Sequence, residues 1–314
     1  MKKLLPIIFV LIITSCSKEV PLEQTVIRND TVYLINSKKP FTGITVSYHE
    51  NGQLEYTGIY KDGKEEGLHE TYHENGQLEY KTNFKDGIQD GLWERYHENG
   101  QLEYKTNFKD GERDGLYERY HENGQLISKE NYKDGKEEGL MEYYYENGQL
   151  EYKLNYKDEK ADGLYESYYE NGKLAIKGNY KDGKEEGLWE TYSDNGQIFL
   201  KENYKDGKKN GLEETYHDNG QLEYRRNYKD GEPDGLHERY SDNGQLMFKE
   251  NYKDGIQDGP FEYYYEKNGQ LSKKGNYKDG KEDGLWETYR VDGLSMGNIC
   301  YKNDRRVHTS NCEK

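Results

Sequence analysis

Apolar and polar positions repeat every 24 residues along most of the chain. One repeat, which begins at Gly91, reads GLWERYHENGQLEYKTNFKDGERD. Its leading glycine recurs at this spacing from Gly43 to Gly259, and Gly284 comes one residue late because Lys267 is inserted. A fixed period of this length indicates stacked supersecondary units, none of which can bury its apolar side chains alone.

Two turn signals divide each repeat into strand-length segments. Asn99-Gly100 and Asp110-Gly111 are pairs that tolerate positive φ and end strands. The segments between them, about seven residues long and rich in Tyr, Leu and Thr, are too short for stable helices. We predict an all-β fold, an elongated array of 24-residue antiparallel β-hairpin repeats. Glu159 replaces a turn glycine, and a left-handed conformation there would cost about 1 kcal/mol unless the loop is rebuilt.

Two registers are open at the Asn-Gly turn. A two-residue turn would place Glu94 opposite Lys105, whereas a three-residue loop places Tyr96 opposite Leu102 and Glu94 opposite Tyr104. We favour the loop. Its apolar face would hold Leu92, Tyr96, Leu102, Tyr104 and Phe108. Glu94, which recurs in other repeats, would lie on that face and accept hydrogen bonds from tyrosine hydroxyls or turn amides.

The position after the strand leucine varies most between repeats. In the favoured register it points away from the apolar face, where aromatic side chains spaced about 10 Å apart could stack on sugar rings or anchor a protein. The candidate stacking residues are Trp93, Tyr117, Tyr165, Trp189, Phe261 and Trp286. The alternative is a curled sheet with both faces partly buried.

Residues 1–15 have the features of an export signal. Lys2 and Lys3 precede an apolar run over residues 4–13, which is too short to span a bilayer of about 30 Å as a helix. The residues before Cys16 resemble a bacterial lipobox, in which the cysteine carries lipid and becomes the new N-terminus. This resemblance, with Ser17 after the cysteine, implies a protein anchored to the outer membrane and facing the periplasm or the cell surface. An ordinary secretory signal is the alternative.

The remaining chain divides by its pattern. Residues 16–40 are expected to form the lipidated cysteine, a tether and a cap strand over residues 31–36 that begins the sheet. About ten repeats fill residues 41–293, and residues 294–314 form a C-terminal cap. Cys300 and Cys312 could form a disulfide in an exported protein, or remain free thiols.

Composition and charge limit the classes of partner that the protein can bind. A hydrophobic content of 32% and a mean hydropathy of −1.29 would suggest disorder, but 33 tyrosines at repeated positions supply apolar area. The formal charge of −16 and the lack of a basic stripe exclude binding to nucleic acid. We expect the protein to contact a membrane only through the lipid on Cys16.

Candidate chemical sites recur in every repeat. The histidines His49, His73, His97, His121 and His217 would be about 10 Å apart, too far to share a metal ion. Acidic turns such as KDGERDG contain competing lysines, so we expect turn chemistry and no calcium. With no unique catalytic cluster in the sequence, we expect no enzyme activity, cofactor or metal.

The repeat G-L-x-E-x-Y-x-x-N-G-Q-L-x-x-x-x-x-Y-K-D-G-K resembles the MORN-repeat variant of bacterial proteins, a family frequently labelled as antitoxins. The resemblance covers about residues 41–293. It implies antiparallel hairpins side by side in a twisted sheet, and a scaffold for proteins or membranes. We therefore expect a non-enzymatic cell-envelope lipoprotein that binds a protein or a glycan. The alternative is an antitoxin-like inhibitor of a basic toxin or effector.

Overall fold

The chain folds almost entirely into β-strands. The computed structural model describes residues 19–312, in which the only helices are the single 3-10 turns Leu22–Gln24 and Thr309–Asn311. Two compact units are present, one ending at Lys136 and the other beginning at Glu137. Antiparallel hairpins with a 24-residue period fill both units, so the predicted fold class is confirmed.

The strands of each unit follow the repeat. Those of the first unit are Glu19–Pro21, Thr25–Arg28, Thr31–Leu34, Gly43–Tyr48, Leu54–Lys61, Lys64–Tyr72, Leu78–Lys85, Ile88–Gln89, Gly91–Tyr96, Leu102–Lys109, Glu112–Arg113, Gly115–Tyr120 and Leu126–Lys133. Those of the second unit are Gly139–Tyr144, Leu150–Lys157, Lys160–Tyr168, Leu174–Lys181, Lys184–Tyr192, Ile198–Lys205, Lys208–Lys209, Gly211–Tyr216, Leu222–Lys229, Glu232–Pro233, Gly235–Tyr240, Leu246–Lys253, Ile256–Gln257, Gly259–Tyr264, Leu271–Lys278, Lys281–Tyr289, Ser295–Lys302 and Arg305–Val307. The short strand Lys136–Glu137 lies at the division.

A β-bulge sets the register of each hairpin. Leu102 lies opposite Tyr96, as predicted, but the register shifts between Leu102 and Tyr104. Lys105, rather than Tyr104, therefore lies opposite Glu94, and the predicted pairing of Glu94 with Tyr104 is wrong. The extra residue on one strand exchanges the two faces for every residue beyond it.

The exchange of faces decides which side chains are buried. Trp93 lies opposite Thr106 and its ring contacts Phe108, whereas Leu92 lies opposite Asn107 and is 38% exposed. We call the side that carries Trp93, Tyr104, Thr106, Phe108 and their equivalents the inner face. We call the side that carries Leu92, Glu94, Lys105 and their equivalents the outer face. Leu92 was predicted to share the face of Tyr104 and Phe108, and that prediction is wrong.

The residues before the array form a cap. A strand occupies Thr31–Leu34 within the predicted range, but it pairs with Thr25–Arg28 in a separate two-stranded sheet. The first strand of the main sheet is instead Glu19–Pro21, which runs parallel to Gly43–Tyr48. The expectation that residues 31–36 begin the sheet is therefore wrong.

This cap contributes the clearest apolar core of the first unit. Val20, Phe41 and Tyr60 are buried together, and Val32 and Leu34 pack against them. Apolar burial stabilises by about 25 cal/mol per Å². The cap thus covers the end of the first hairpin, which has no preceding repeat to cover it.

The opposite end of the chain is closed by a short strand and a disulfide. Arg305–Val307 pairs with the end of Ser295–Lys302. Cys300, which is 1% exposed, is bonded to Cys312, and their Cα atoms are 5.9 Å apart.

The Asp-Gly turns keep one conformation throughout. Asp110 and Gly111 have φ values of 51° and 86°, which is the left-handed region that a two-residue hairpin turn requires. Asp158 and Glu159 have φ values of 49° and 62°. Glu159 therefore adopts the glycine conformation, and the loop is not rebuilt.

Candidate functional site

The six predicted stacking residues lie on the inner face. They were predicted to point away from the apolar side, and the bulge reverses that expectation. Trp286 is 1% exposed, and the other five are partly buried. These six residues are Trp93, Tyr117, Tyr165, Trp189, Phe261 and Trp286.

In the first unit the inner-face rings contact one another in a row. The Trp93 ring lies 5.0 Å from that of Tyr104 and 5.5 Å from that of Phe108, measured between centroids. Tyr104 in turn lies 6.0 Å from Tyr117. Edge and tilted contacts at these distances are those of aromatic packing. These rings therefore stabilise the sheet by packing on each other.

In the second unit two tryptophans cover glycines. Trp189 lies 5.7 Å from the ring of Tyr165, and a Cβ atom at Gly178 would approach the indole to 2.2 Å. Trp286 covers Gly275 in the same way, with an approach of 2.0 Å. Such distances are far below van der Waals contact, so each indole occupies the space that a side chain would need.

One repeat replaces the inner-face aromatic by a buried charge. Glu213 is 3% exposed and bonds to Arg226 Nη1 at 2.9 Å and to Lys209 Nζ. Lys209 also contacts Glu202 at 2.6 Å. Burial alone would lower the pKa of Lys209, but its hydrogen bonds to Glu202 and Glu213 outweigh burial and raise that pKa. This cluster interrupts the aromatic row of the second unit.

Two further repeats place a histidine in the same inner position. The His69 ring donates from Nε2 to the Ile59 carbonyl (2.8 Å), and its Nδ1 lies 2.9 Å from the Tyr56 hydroxyl. Tyr56 also bonds to the Tyr60 hydroxyl at 3.0 Å. Burial lowers the pKa of His69, so the imidazole is neutral and accepts from Tyr56. The second such histidine, His237, borders a cavity of about 280 Å³.

The outer face carries a ladder of ions and tyrosines. Glu94 accepts from the Tyr96 hydroxyl at 3.0 Å and pairs with Lys81 Nζ at 2.5 Å. The predicted bond from tyrosine to this glutamate is confirmed, although it forms on the outer face. In the same arrangement, a hydrogen bond from Lys153 lowers the pKa of Glu166 and outweighs the opposing effect of burial.

A row of partly exposed leucines accompanies this ladder. These side chains are between 38% and 44% exposed: Leu68, Leu92, Leu116, Leu140 and Leu188. Sequence reasoning placed them in the core and so missed them as surface residues. The position that follows each leucine could have corrected this, because a position that is aromatic or Met in most repeats is typical of a core.

The predicted histidine row joins successive hairpins. His73 Nε2 donates to the Tyr96 carbonyl at 3.1 Å, and in the same turns Asn99 Nδ2 donates to the Glu122 carbonyl at 2.8 Å. Within residues 19–312, no three His, Cys, Asp or Glu side chains are placed to hold a metal ion.

Carboxylates of the acidic turns also form hydrogen bonds to the next turn. Glu66 accepts from the Asp86 amide at 3.1 Å, and Glu186 accepts from the Asp206 amide at 3.0 Å. Asp283 of the turn KDGKEDG likewise accepts from the Asn303 amide at 3.4 Å, so acids of these turns hold the next turn of the array.

The profile of the MORN repeat variant family matches nine segments of this chain. They are residues 41–62, 65–86, 89–110, 113–134, 137–158, 161–182, 185–206, 209–230 and 233–254. This chain belongs to the MORN repeat variant family. The resemblance inferred from the sequence is confirmed for the repeats, and the hairpins after residue 254 continue their geometry.

Solved structures similar to this MORN chain belong to larger proteins. A crystal structure of TcdB2-TccC3 is 14% identical over 84% of this chain and 18% of that chain, with a TM-score of 0.19. The Photorhabdus luminescens Tc holotoxin pore is 14% identical over 83% of this chain and 14% of that chain, with a TM-score of 0.18. The MORN chain thus spans less than a fifth of the length of these structures. Comparison with curated proteins finds no match.

Two predictions concern the membrane. Cys16, the predicted lipidation site, lies outside the described residues. Among residues 19–312, neither short helix is long and apolar enough to cross a bilayer.

Proposed function

We propose that this MORN chain is a non-enzymatic lipoprotein of the cell envelope whose array binds proteins or glycans. The observation that carries the proposal is the outer face, where leucine, lysine, glutamate and tyrosine recur in the same geometry. Ligands that contact several repeats would gain avidity from contacts that are individually weak. MORN arrays typically act as non-catalytic scaffolds, and the histidines and acids of this array hold its hairpins together.

The leader supports the envelope location. Its charged start, short apolar run and Cys16 would direct export and lipid attachment. The test is cell fractionation with surface labelling of intact cells, for the wild type and Cys16→Ala. Membrane-bound wild type that the substitution releases is the expected result. Unprocessed wild type in the cytoplasm would contradict it.

The binding surface is tested separately from location. We expect the purified chain to sediment with cell-wall or outer-membrane preparations, and the triple variant Leu68→Thr, Leu92→Thr, Leu116→Thr to sediment at least tenfold less. The matched control is Ile88→Thr, because Ile88 is 49% exposed but lies in the short strand Ile88–Gln89, outside the row. Equal loss in both variants would refute a role for the leucine row.

An antitoxin-like inhibitor is the second candidate. The formal charge of −16 favours it, since an acidic surface steers and holds a basic protein. Cytoplasmic wild type that protects cells from a co-expressed small basic toxin encoded beside it would favour this candidate. Failure to protect, together with a membrane location, would leave the envelope proposal.

A further inference from the structure

A cavity of about 280 Å³ opens on the inner face of the second unit. Its walls include the rings of Tyr224, Tyr228, Phe248 and Tyr252. The cavity arises because the variable position holds His237 there, which is smaller than the tryptophans that fill this position at Trp189 and Trp286. Its volume is close to the lower end of ligand pockets, about 300 Å³, and it suits a single small ring.

His237 presents an unused acceptor to this cavity. The side chain is 7% exposed, and its Nε2 donates to the Asn227 carbonyl at 3.1 Å. That bond fixes the tautomer, so Nδ1 carries the lone pair, and no partner of Nδ1 is present among the described residues. Burial lowers the pKa of His237 and keeps the ring neutral. Nδ1 keeps access to solvent, so water satisfies it in the free protein, and a hydroxyl of a ligand that displaces this water would donate to it instead.

His69, which holds the corresponding position in the first unit, makes the hydrogen bond that His237 Nδ1 does not. His69 Nδ1 accepts from the Tyr56 hydroxyl at 2.9 Å, and Tyr56 passes over Gly58, where an added Cβ would lie 2.1 Å from that hydroxyl. The equivalent of Tyr56 beside His237 is Tyr224, and Arg226 replaces Gly58.

Two arginines contact the Tyr224 ring, and Tyr224 makes no hydrogen bond to His237 within the described residues. The guanidinium carbons of Arg226 and Arg239 lie 4.0 and 5.0 Å from the centre of that ring. Cation–π contacts at these distances are favourable. The histidine Nδ1 is therefore hydrogen-bonded to a tyrosine hydroxyl at His69 but not at His237.

The remaining polar groups of the cavity offer both acceptors and donors. Glu250 lies opposite His237 and accepts from the Tyr252 hydroxyl at 3.0 Å and from Gln257 Nε2 at 2.6 Å, which leaves lone pairs on a carboxylate. Arg226 bonds to Glu213 through one N–H of the five that a guanidinium carries. With Arg226 and Glu250 both at its wall, the cavity does not select a strongly charged ligand.

We infer that this cavity binds a single neutral pyranose ring, which deepens the proposed glycan-binding function and rests on it. Two hydroxyls of the sugar donate to His237 Nδ1 and Glu250, and a third accepts from Arg226. The C–H face of the sugar packs against the aromatic walls, since stacking on aromatic rings suits an apolar sugar face. A cavity of about 250 Å³ also borders His69 in the first unit, but there the histidine Nδ1 already accepts from the Tyr56 hydroxyl.

The test is saturation-transfer NMR on the full mature chain with methyl glycosides of glucose, galactose, mannose and N-acetylglucosamine. We expect at least one to bind in the millimolar range. His237→Phe fills the cavity with a side chain that the next repeat already carries as Phe261, so folding is preserved. It and Glu250→Gln should each weaken binding at least tenfold.

His69→Phe is the matched control, because His69 Nδ1 already has a partner, and its binding should equal that of the wild type. The inference is overturned if no glycoside binds, if His237→Phe binds like wild type, or if an alkylammonium ion binds in place of every sugar. A chain that sediments with cell-wall preparations yet binds no glycoside would retain the proposed function and lose this inference alone.

Discussion

Gly275→Ala is the sharpest test of how the inner face is packed. Its Cβ would lie 2.0, 2.3 and 2.4 Å from three ring atoms of Trp286, whereas carbon atoms in contact are about 3.5–4.0 Å apart. The indole would have to move by about 1.5 Å. It has little room, because Phe261, Tyr277 and Tyr301 surround it and Lys273 lies above it.

The loss of stability expected from Gly275→Ala follows from this crowded packing. Overpacking a core costs about 1–3 kcal/mol, and loss of a buried tryptophan costs about 3–5 kcal/mol. The backbone of Gly275 is not in the left-handed region, so alanine would otherwise stabilise by about 0.4–1 kcal/mol through the unfolded chain. We expect a net loss of about 3 kcal/mol, which is about a hundredfold increase in local opening.

Amide hydrogen exchange measures this opening where it occurs. The strands Leu271–Lys278 and Lys281–Tyr289 should lose protection, and Gly178→Ala should do the same beside Trp189. Substituting Trp286→Leu first should remove most of the effect of Gly275→Ala, to below about 1 kcal/mol. Unchanged protection in Gly275→Ala, or the same loss in both backgrounds, would refute the packing argument.

Three smaller changes test the turns and the outer face. Asn99→Ala removes a bond to the next hairpin and one to its own turn and should cost about 1–2 kcal/mol in urea unfolding. This loss should exceed that of Asn195→Ala, because the Asn195 side chain bonds to Ser193 and Gln197 of its own turn. Glu159→Gly should raise stability by about 1 kcal/mol, since Glu159 holds a φ of 62°, and a lower melting temperature would contradict this. The pKa of Glu166 is lowered by Lys153, so its contribution is present above the unfolded pKa of about 4.5 and is lost as the pH falls through the folded pKa. Lys153→Met should destabilise at pH 7 and have little effect at pH 2, whereas equal losses at both would show that the pair acts through packing.

The period and the turns could be predicted because they depend on local chemistry. Asn-Gly and Asp-Gly pairs favour turns, and the pairs that close the hairpins place glycine at positive φ, so they fixed the hairpins and the partner of Leu102. The faces could not be assigned from the same local rules, because one unpaired residue, Glu103, reverses them. No property of Glu103 marks it as the bulged residue, and an error of one position moved Leu92 into the predicted core and Trp93 out of it.

The candidate cavity was equally hidden from the sequence. His237 occupies the variable position that Trp93, Trp189 and Trp286 occupy in other repeats, and nothing in its sequence neighbours indicates a nitrogen without a hydrogen-bond partner. That property depends on Tyr224, whose ring is held by Arg226 and Arg239. Such a contact depends on the positions of three side chains on two neighbouring strands, which periodicity does not specify.

In an array, stability is a sum over repeats and their neighbours, so a repeat that departs from the pattern weakens its own surroundings. Most repeats fill the inner position with a ring or a methionine, whereas Glu213 is a buried charge, which costs desolvation even when it is paired with Arg226. His237, in the next repeat, leaves space beside it. Two successive repeats thus place a charged side chain and a small ring at this position, and the ring of His237 still packs against that of Tyr252 at 4.5 Å.

We therefore expect the strands Gly211–Tyr216 and Gly235–Tyr240 to exchange their amides faster than Lys184–Tyr192, which carries Trp189. A ligand in the cavity would reverse that order, because a ligand that binds the closed form alone stabilises it by RT ln(1 + [L]/Kd). Uniform protection across these three strands would mean that the polar repeats have lost no stability. The repeats with the least aromatic packing would then be as resistant to local unfolding as the others, and the binding pocket would be present without a loss of local stability.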